Sequence, residues 1–425
     1  MLGAGLSATV GKAMAALLRW LGLALAHDWR SWEAATTAFL RLWRRLLRRA
    51  SPGDTAPWSE LPPELLGLVL SRLPSQADRV RLRAVCRPWR SAPRPHQLPP
   101  PFPWIVLRDH TFLTLPDGAL HHLPRHLRSG QIVARVSTGS TLFFGYADGH
   151  CCLVNPSSGE TAPLKINLTA YSIVWIDKLV LSDYIVVLDS IITLNIIPRE
   201  PGQGRRHMAW APLGNAIIDI AVFQRKLYAL TGKYIYPGPQ QPELHLLDIN
   251  EEQNCVRSVQ CICATPINDM APCLNVTERT RRPFFFYLVV SGDRLLLVER
   301  QIDLEVPYSI HDRPIGTRFQ AWEAVDLVGG HGRWSKVDTL MGHALFVGRE
   351  CSRSLPAQCG ARADCIYFMT EHGHLLPRVE RKPGDFLLGC VVYNVRDRTV
   401  EPLAWEAVAA SYGRFRPTWL FSADD

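Results

Sequence analysis

The stretch TLFFGYADGHCCLVNPSSGE, residues 141–160, contains the unit from which most of this chain is built. An apolar run, TLFFGY, is followed by the turn residues Ala-Asp-Gly-His and by a second apolar run that ends at Asn155. Two apolar runs joined by a short turn that contains glycine predict a β-hairpin. Such a hairpin leaves free edges and an apolar face, which neighbouring strands must cover.

The same plan of strand, turn, strand and terminal Asp or Asn recurs three times further along the chain. The later copies begin with KLYALTG at 226–232, RLLLVER at 294–300 and CIYFMTE at 365–371. Their spacing is irregular, so runs such as DYIVVLDSIITLNII, residues 183–197, must supply strands to additional units. Weak repetition of short strands predicts a large all-β domain of the β-propeller type, kelch-like, without fixing the number of blades. A two-sheet β-sandwich is the alternative fold.

Residues 61–91, LPPELLGLVLSRLPSQADRVRLRAVCRPWRS, have helical periodicity instead. Pro62 and Pro63 suit the first turn of a helix, where a missing N–H costs nothing. Apolar residues then recur along one helix face, at Leu65, Leu66, Val69, Leu70 and Leu73. Pro74 is expected to end this helix.

A second helix is predicted to begin at Ser75, because Ser75 and Asp78 have the spacing of a capping box. Its apolar stripe consists of Leu82, Val85, Cys86 and Trp89, and the arginines between them are expected to face water. Two or three short helices cannot bury so broad a stripe among themselves. Either a partner docks on it, or it forms an N-terminal cap on the β domain.

The order of these residues resembles an F-box. It runs L-P-x-E-L-L, then S-R-L-P, then R-L-R-x-V-C-R-x-W-R, over about forty residues with several independent spacings in agreement. The resemblance implies docking on a Skp-type adaptor of a cullin-based ubiquitin ligase. The residues it assigns to the adaptor contact are Leu61, Pro62, Leu65, Leu66, Val69, Leu70, Leu73, Pro74, Val80 and Leu82. Those it assigns to internal packing are Val85, Cys86 and Trp89.

The strand-rich remainder resembles a plant F-box-associated family, domain of unknown function 295. The supporting segments, in order, are LVNPSSGE, DIAVFQRKLYAL, YLVVSGDRLLLVER, WSKVDTLMGHALFVGRECS, ADCIYFMTE, VVYNV and PTWLF. Two features depart from the family pattern: the terminal Trp-Leu-Phe-Ser-Ala lacks the proline often found there, and the loop PREPGQGRRHMAWAPL is longer than usual.

Composition and these resemblances together divide the chain into four parts. We expect a basic Ala/Leu-rich extension at 1–50, partly helical or disordered, an F-box at 57–97, a proline-rich linker at 98–104 and the propeller-like domain at 105–421.

The net charge of +8 is concentrated in the first fifty residues, which hold eight basic and two acidic side chains. The remaining chain is nearly neutral, so no nucleic-acid partner is expected. Within this segment, Lys12 and Arg19 would each cost about 2.5–3.5 kcal/mol at a bilayer centre, which disfavours a spanning helix. Membrane contact through residues 1–50, or an organellar transit peptide, are alternatives to an extension without a targeting role.

No constellation for catalysis, a cofactor or a metal stands out. His121, His122 and His126 lie close in sequence, but Pro124 disrupts helical presentation and no nearby Cys or carboxylate completes a site. Eleven cysteines without a C-x-x-C pair indicate free thiols in a reducing compartment, which we take to be the cytoplasm and/or the nucleus. The tryptophans expected to pack between blades, rather than to form a sugar platform, are Trp175, Trp210, Trp322, Trp334 and Trp405.

The sequence therefore favours a non-catalytic substrate-receptor subunit of a Skp–cullin–F-box ubiquitin ligase. In this reading the helical module binds the adaptor, and through it cullin, while the β domain recruits an unknown protein target. Two other classes stay open: a propeller enzyme or small-ligand binder with a helical cap, and an adaptor-binding regulator that does not ubiquitylate.

Overall fold

The computed structural model describes most of the chain from residue 61 onward. The described residues are 61, 63–73, 75–91, 100–107, 111–115, 118–123, 131–156, 158–164, 176–189, 192–199, 207–235, 238–253, 255–262, 274–275, 280–281, 284–305, 313–327, 332–357, 360–369, 390–403 and 416–422. They fall into two compact units, a helical one and a β unit that begins at Pro103. The predictions for residues 1–50, Pro62, Pro74, His126, Trp175 and Trp405 lie outside the described residues. No helix within the described ranges is long and apolar enough to span a membrane.

The helical unit contains α1 (Pro63–Arg72), α2 (Gln76–Arg83) and α3 (Arg87–Ser91). Ser75 is the N-cap of α2, and its hydroxyl accepts a hydrogen bond from the backbone N–H of Asp78 at 3.3 Å. The predicted start of the second helix is therefore confirmed.

The β unit is a six-bladed propeller. Its first three blades contain β1 (Trp104–Val106), β2 (Thr111–Leu113), β3 (Leu120–His122), β4 (Ile132–Ser137), β5 (Leu142–Tyr146), β6 (Cys151–Val154), β7 (Thr161–Leu164), β8 (Ile176–Leu181), β9 (Tyr184–Asp189), β10 (Thr193–Pro198) and β11 (Met208–Trp210).

The remaining strands form blades 4 to 6, except the last, β27, which belongs to blade 1. These are β12 (Ala216–Phe223), β13 (Lys226–Ile235), β14 (Gly238–Asn250), β15 (Cys255–Ile262), β16 (Leu274–Asn275), β17 (Thr280–Arg281), β18 (Phe284–Ser291), β19 (Arg294–Glu305), β20 (Arg313–Val325), β21 (Arg333–Val337), β22 (His343–Val347), β23 (Arg353–Pro356), β24 (Cys365–Met369), β25 (Cys390–Asn394), β26 (Val400–Pro402) and β27 (Thr418–Leu420).

Blades 2, 3 and 4 are four-stranded antiparallel sheets in chain order, β4 to β7, β8 to β11 and β12 to β15. Blade 5 is built on β18 to β21, with the short β16–β17 pair joined to β19. Blade 6 has the order β23-β22-β24-β25-β26, in which β22 and β24 run parallel. Blade 1 has the order β27-β1-β2-β3, so the last strand of the chain completes the first sheet and closes the ring.

The repeated sequence plan corresponds to the central hairpin of a blade. Residues 141–160 supply β5 and β6, and the later copies supply β13–β14, β19–β20 and β24–β25. The run at 183–197 supplies β9 and β10 of blade 3, which confirms that it fills a further unit. The propeller is thus confirmed, and the β-sandwich alternative is wrong.

Apolar side chains fill the spaces between successive blades, because both faces of each inner strand meet another sheet. Five buried clusters join blades 1–2, 2–3, 3–4, 4–5 and 5–6. At the closure between blades 6 and 1, the fully buried Trp419 packs edge-on against Phe346, with 5.1 Å between ring centroids. The indole N–H of Trp419 donates to the carbonyl oxygen of Val347 at 3.0 Å.

Candidate functional site

The helical unit has a small core of four leucines. Leu66, Leu70, Leu73 and Leu82 are buried and pack together, and Leu61, Val69 and Trp89 pack against them while partly exposed. Four of the ten residues assigned to an adaptor contact therefore lie inside the unit. They shape its surface, and substituting them would test folding before it tested binding.

The aliphatic residues that reach the surface form a smaller set. Leu61, Leu65 and Val69 are half-buried, and Val80 on α2 is 59% exposed. Val80 is one of the large apolar side chains that the described surface leaves open to solvent. Among the described residues of the predicted docking face, these four side chains are the ones that a partner can reach without opening the core.

One arginine of α2 does not face water. Arg79 is buried, and its Nε donates a hydrogen bond to the carbonyl oxygen of Leu73 at 2.7 Å. This carbonyl lies just beyond the C-terminus of α1, where helices leave backbone oxygens without partners. Arg79 thus fastens α2 to the end of α1, while Arg81 and Arg90 are exposed.

The residues assigned to internal packing are only partly enclosed. Val85, Cys86 and Trp89 are all half-buried in the helical unit, and Trp89 packs against its leucine core.

The second candidate region is the propeller axis, where the innermost strands of successive blades approach each other. Asp177, on β8, accepts hydrogen bonds from Arg349 Nε at 3.2 Å, from Arg349 Nη2 at 2.9 Å and from Arg416 Nη1 at 3.1 Å. Burial acts to raise the pKa of Asp177, but the two guanidinium groups outweigh it and hold that pKa below its ordinary value. One carboxylate thus joins blade 3 to segments of blades 6 and 1.

Beside it, a buried ion pair connects blades 3, 4 and 5. The Nζ atom of Lys178 lies 2.6 Å from Asp219 Oδ1, and Asp219 Oδ2 accepts from the backbone N–H of Leu288 at 2.7 Å. Both ionic side chains are almost fully enclosed. A buried pair of this kind is tolerated only when its remaining hydrogen-bonding capacity is also satisfied.

Glu350 and Arg135 extend this polar axis. Glu350 accepts from the backbone N–H of Ser137 at 2.8 Å, and burial raises its pKa while Arg135 opposes that shift. Arg135 donates to the carbonyl oxygens of Leu107 and Arg416. The described charges on the axis therefore bind either one another or backbone groups of neighbouring blades, and these contacts connect the blades.

Glu299, in blade 5, is a buried acid with a strongly raised pKa. It lies on β19, is 4% exposed, and burial raises its pKa to about 7, a shift that nearby Lys336 reduces. A carboxyl group in this environment is half-protonated near neutral pH.

The histidines and tryptophans that were considered in the sequence lie within the strands and between the blades. His121 and His122 lie next to each other on β3, and His121 stacks on Trp104 with ring centroids 5.8 Å apart. Within the described ranges, no group of three or more His, Cys, Asp or Glu is placed to hold a metal ion. Trp210, Trp322 and Trp334 pack between blades, as predicted.

A family model described as KIB1-4 beta-propeller matches residues 112–394, about two thirds of the chain. The chain belongs to this family. A second model, described as F-box-like, matches residues 58–96, which include α1, α2 and α3. The chain is therefore an F-box protein with a KIB1-4 beta-propeller.

Two curated relatives from Arabidopsis thaliana resemble short stretches of the chain. F-box protein At2g26160 is 51% identical over 35 residues, which is 8% of this chain and 11% of the relative. F-box protein SKIP23 is 38% identical over 63 residues, which is 15% of this chain and 16% of the relative. The matched stretches thus span less than a fifth of either relative.

Solved propellers show a more distant likeness. The WD40 domain of SCAP from fission yeast aligns over 64% of this chain and 55% of its own, with 10% identity and a TM-score of 0.31. The Cps50 (Swd1) β-propeller domain of Myceliophteria thermophila aligns over 64% and 86%, with 12% identity and a TM-score of 0.28. Scores this low carry no functional argument.

Sequence reasoning missed the charged axis. Its only local signal is a pair of ionic residues, Asp177 and Lys178, at the start of the otherwise apolar strand β8. Charges are rarely fully buried unless they are paired, so this placement could have marked buried partners. It could not have identified those partners, because Arg416 lies 239 residues away in sequence.

Proposed function

We propose that this protein is a substrate-receptor subunit of a Skp–cullin–F-box ubiquitin ligase. The F-box-like match over residues 58–96 is the observation that carries the proposal. The helical unit would bind a Skp-type adaptor, and through it cullin, while the propeller would recruit a protein target. The subunit itself would be non-catalytic and would act by proximity, since it holds a target near the transfer machinery of other subunits.

The adaptor contact is proposed to centre on Leu65, Val69 and Val80, with Leu61 and Pro62 at its entry. The half-exposed aliphatic side chains supply apolar area that a partner can remove from water at about 25 cal/mol per Å². Leu66, Leu70, Leu73 and Leu82 would support this face from the core. We also propose that the propeller is related to domain of unknown function 295 and that the domains have the limits predicted above. The protein is proposed to act in the cytoplasm or the nucleus.

Co-purification of the full chain with a recombinant Skp-type adaptor tests the docking step. The variant Leu65→Asp with Val80→Asp is expected to lose the adaptor, because both carboxylates would be buried at the interface. Leu70→Asp would not be a clean test, since Leu70 is 4% exposed and belongs to the core.

Leu120→Asp is the matched control, since Leu120 is 57% exposed on β3, outside the helical unit. It should retain the adaptor. Adaptor binding that survives the double substitution in a folded protein would contradict the docking proposal. An adaptor complex that binds a target but does not promote ubiquitin transfer to it would instead indicate a regulator.

A further inference from the structure

The helical unit is far more basic than the chain that follows it. Residues 61–91 contain six arginines and two acidic residues, a net charge of +4 in a chain whose total is +8. Residues 1–50 hold a further +6, so the remaining residues together carry −2. The near-neutral total of residues 51–425 therefore conceals a strong local excess of positive charge.

Arginines flank the exposed aliphatic residue of α2. Val80 is exposed, and so is Ala84, which lies one turn further along at the C-cap of this helix. Successive residues are about 100° apart around an α-helix, so Arg81 lies on one side of Val80 and Arg83 lies on the other. Arg81 is exposed and Arg83 is half-buried. The outward face of α2 is therefore an apolar strip with a cation on each side.

The short helix α3 extends this basic surface. Arg87 and Arg90 are exposed and lie three positions apart, which places them on one side of the helix. Arg83 Nη2 donates a hydrogen bond to the carbonyl oxygen of Arg90 at 3.2 Å and so holds α3 against the end of α2. Of the two acidic side chains in the unit, the structure describes Asp78, whose Oδ1 lies 2.7 Å from Arg81 Nη1. One carboxylate thus stands against four arginines, and we call these arginines, with Val80 and Ala84, the basic face.

Charge argues against two occupants of the basic face that this chain could itself supply. A two-fold contact between copies places the same patch on both sides, so arginines would meet arginines. Residues 1–50 carry +6 and would likewise bring positive charge to the face. Like charges brought together across an interface oppose association. The face therefore fits an occupant of opposite charge from another molecule.

The apolar strip favours an acidic protein over a nucleic acid or a lipid surface. A phosphate backbone offers no apolar group to cover Val80 and Ala84, whereas a protein surface can present aliphatic side chains between carboxylates. A helix that lies in a bilayer surface inserts a broad apolar face. Among the side chains of the eight-residue α2 that the structure describes, Val80 is the one large apolar side chain that is exposed.

We propose that the basic face binds an acidic surface of the adaptor and that the opposite charges accelerate their association. Carboxylates of the adaptor would lie near Arg81, Arg87 and Arg90, and aliphatic groups between them would cover Val80. The inference rests on the proposed function in taking the adaptor as the partner, and it adds the chemistry that the adaptor surface must have. Charges at the rim of an interface act mainly on the association rate, and salt screens them beyond about 10 Å at 0.1 M ionic strength.

Stopped-flow association of the full chain with a recombinant Skp-type adaptor, at about 20 mM and about 300 mM sodium chloride, tests the proposal. The wild-type association rate constant is expected to fall at least about tenfold between the two salt concentrations. The variant Arg81→Gln with Arg87→Gln and Arg90→Gln should associate about tenfold more slowly than wild type at low salt and should respond less to salt. Arg83 is kept, because its hydrogen bond joins α3 to α2.

A matched triple variant removes the same amount of charge from the β unit. Arg225→Gln with Arg333→Gln and Arg398→Gln replaces three exposed arginines and leaves the same net charge as the first variant. It should associate with the adaptor at the wild-type rate. Lysine in place of Arg81, Arg87 and Arg90 keeps the charge, so this variant should remain fast and salt-dependent. Circular dichroism confirms that each variant is folded before its rate is measured.

Two results would overturn this inference while leaving adaptor docking intact. They are a wild-type association rate that salt does not change, and equal slowing in the two glutamine variants. A wild-type chain that fails to bind the adaptor at either salt concentration contradicts the docking proposal itself, and this inference with it. Wild-type binding to a DNA duplex or to phosphatidylserine vesicles, lost in the basic-face variant while its adaptor rate is unchanged, would assign the face to another polyanion.

Discussion

Replacing Glu299 with glutamine is expected to stabilise the protein at pH 8 and to leave its stability nearly unchanged at pH 5. Glu299 is almost fully buried in blade 5, and burial raises its pKa from 4.5 to about 7. Glutamine has the shape of the protonated acid and no charge to bury. The substitution therefore removes the cost of ionisation while it preserves the packing.

The magnitude follows from linkage between protonation and folding. The unfolded chain releases this proton near pH 4.5, and the folded chain keeps it until about pH 7. Between these values the folded state binds more protons than the unfolded state, so the free energy of unfolding falls as pH rises. At 1.36 kcal/mol per pKa unit, the total loss is about 3 kcal/mol once the pH is above the folded pKa.

Urea unfolding of the full chain at pH 5 and pH 8, followed by tryptophan fluorescence, measures the effect. We expect Glu299→Gln to exceed wild type by about 3 kcal/mol at pH 8 and by a small amount at pH 5. Glu160→Gln, at an exposed position between β6 and β7, is the control and should show no such pH-dependent difference. The reasoning is refuted if Glu299→Gln shows the same difference from wild type at both pH values, or is less stable at pH 8.

Three further substitutions test how the ring is held together, each by urea unfolding. Asp177→Asn should lower the free energy of unfolding by about 3 kcal/mol, because it leaves Arg349 and Arg416 without their buried counter-ion. An unchanged free energy of unfolding would show that water replaces the lost carboxylate. Trp419→Ala should cost about 3–5 kcal/mol through the cavity at the closure of blades 6 and 1, and a loss below 1 kcal/mol would contradict a closed ring. Gly332→Ala should cost about 1–3 kcal/mol, since its methyl group would overlap a backbone carbonyl oxygen of β15; unchanged stability would mean that this contact yields easily.

Local patterns predicted the helices and the central hairpins. Ser75 begins a helix because its side chain satisfies a backbone N–H at the helix start, and this requires only residues three positions away. The hairpin at 141–160 forms because apolar runs flank a short turn, and both strands are contained in one stretch of sequence. Such features depend on neighbours along the chain, so a single sequence reveals them.

The residues of the docking face were predicted less completely than the helices and hairpins. The apolar stripe of α1 and α2 was visible from its spacing, but the spacing does not separate Leu70, which is buried, from Val69 beside it, which is half-exposed. The same spacing gives no sign that Arg79 is buried against the end of α1. Both outcomes depend on how the helices cross, which the periodicity of each helix alone does not specify.

Local patterns were enough to predict that a small helical unit precedes a long array of strand pairs, because alternation and helix signals depend on neighbours along the chain. The folded chain was needed to show that the array has six blades, that β27 returns to complete blade 1 and that Asp177 lies between Arg349 and Arg416. Ring closure and buried ion pairs join residues hundreds of positions apart. Their partners are chosen by the packing of whole blades, for which the chain between them carries no local signal.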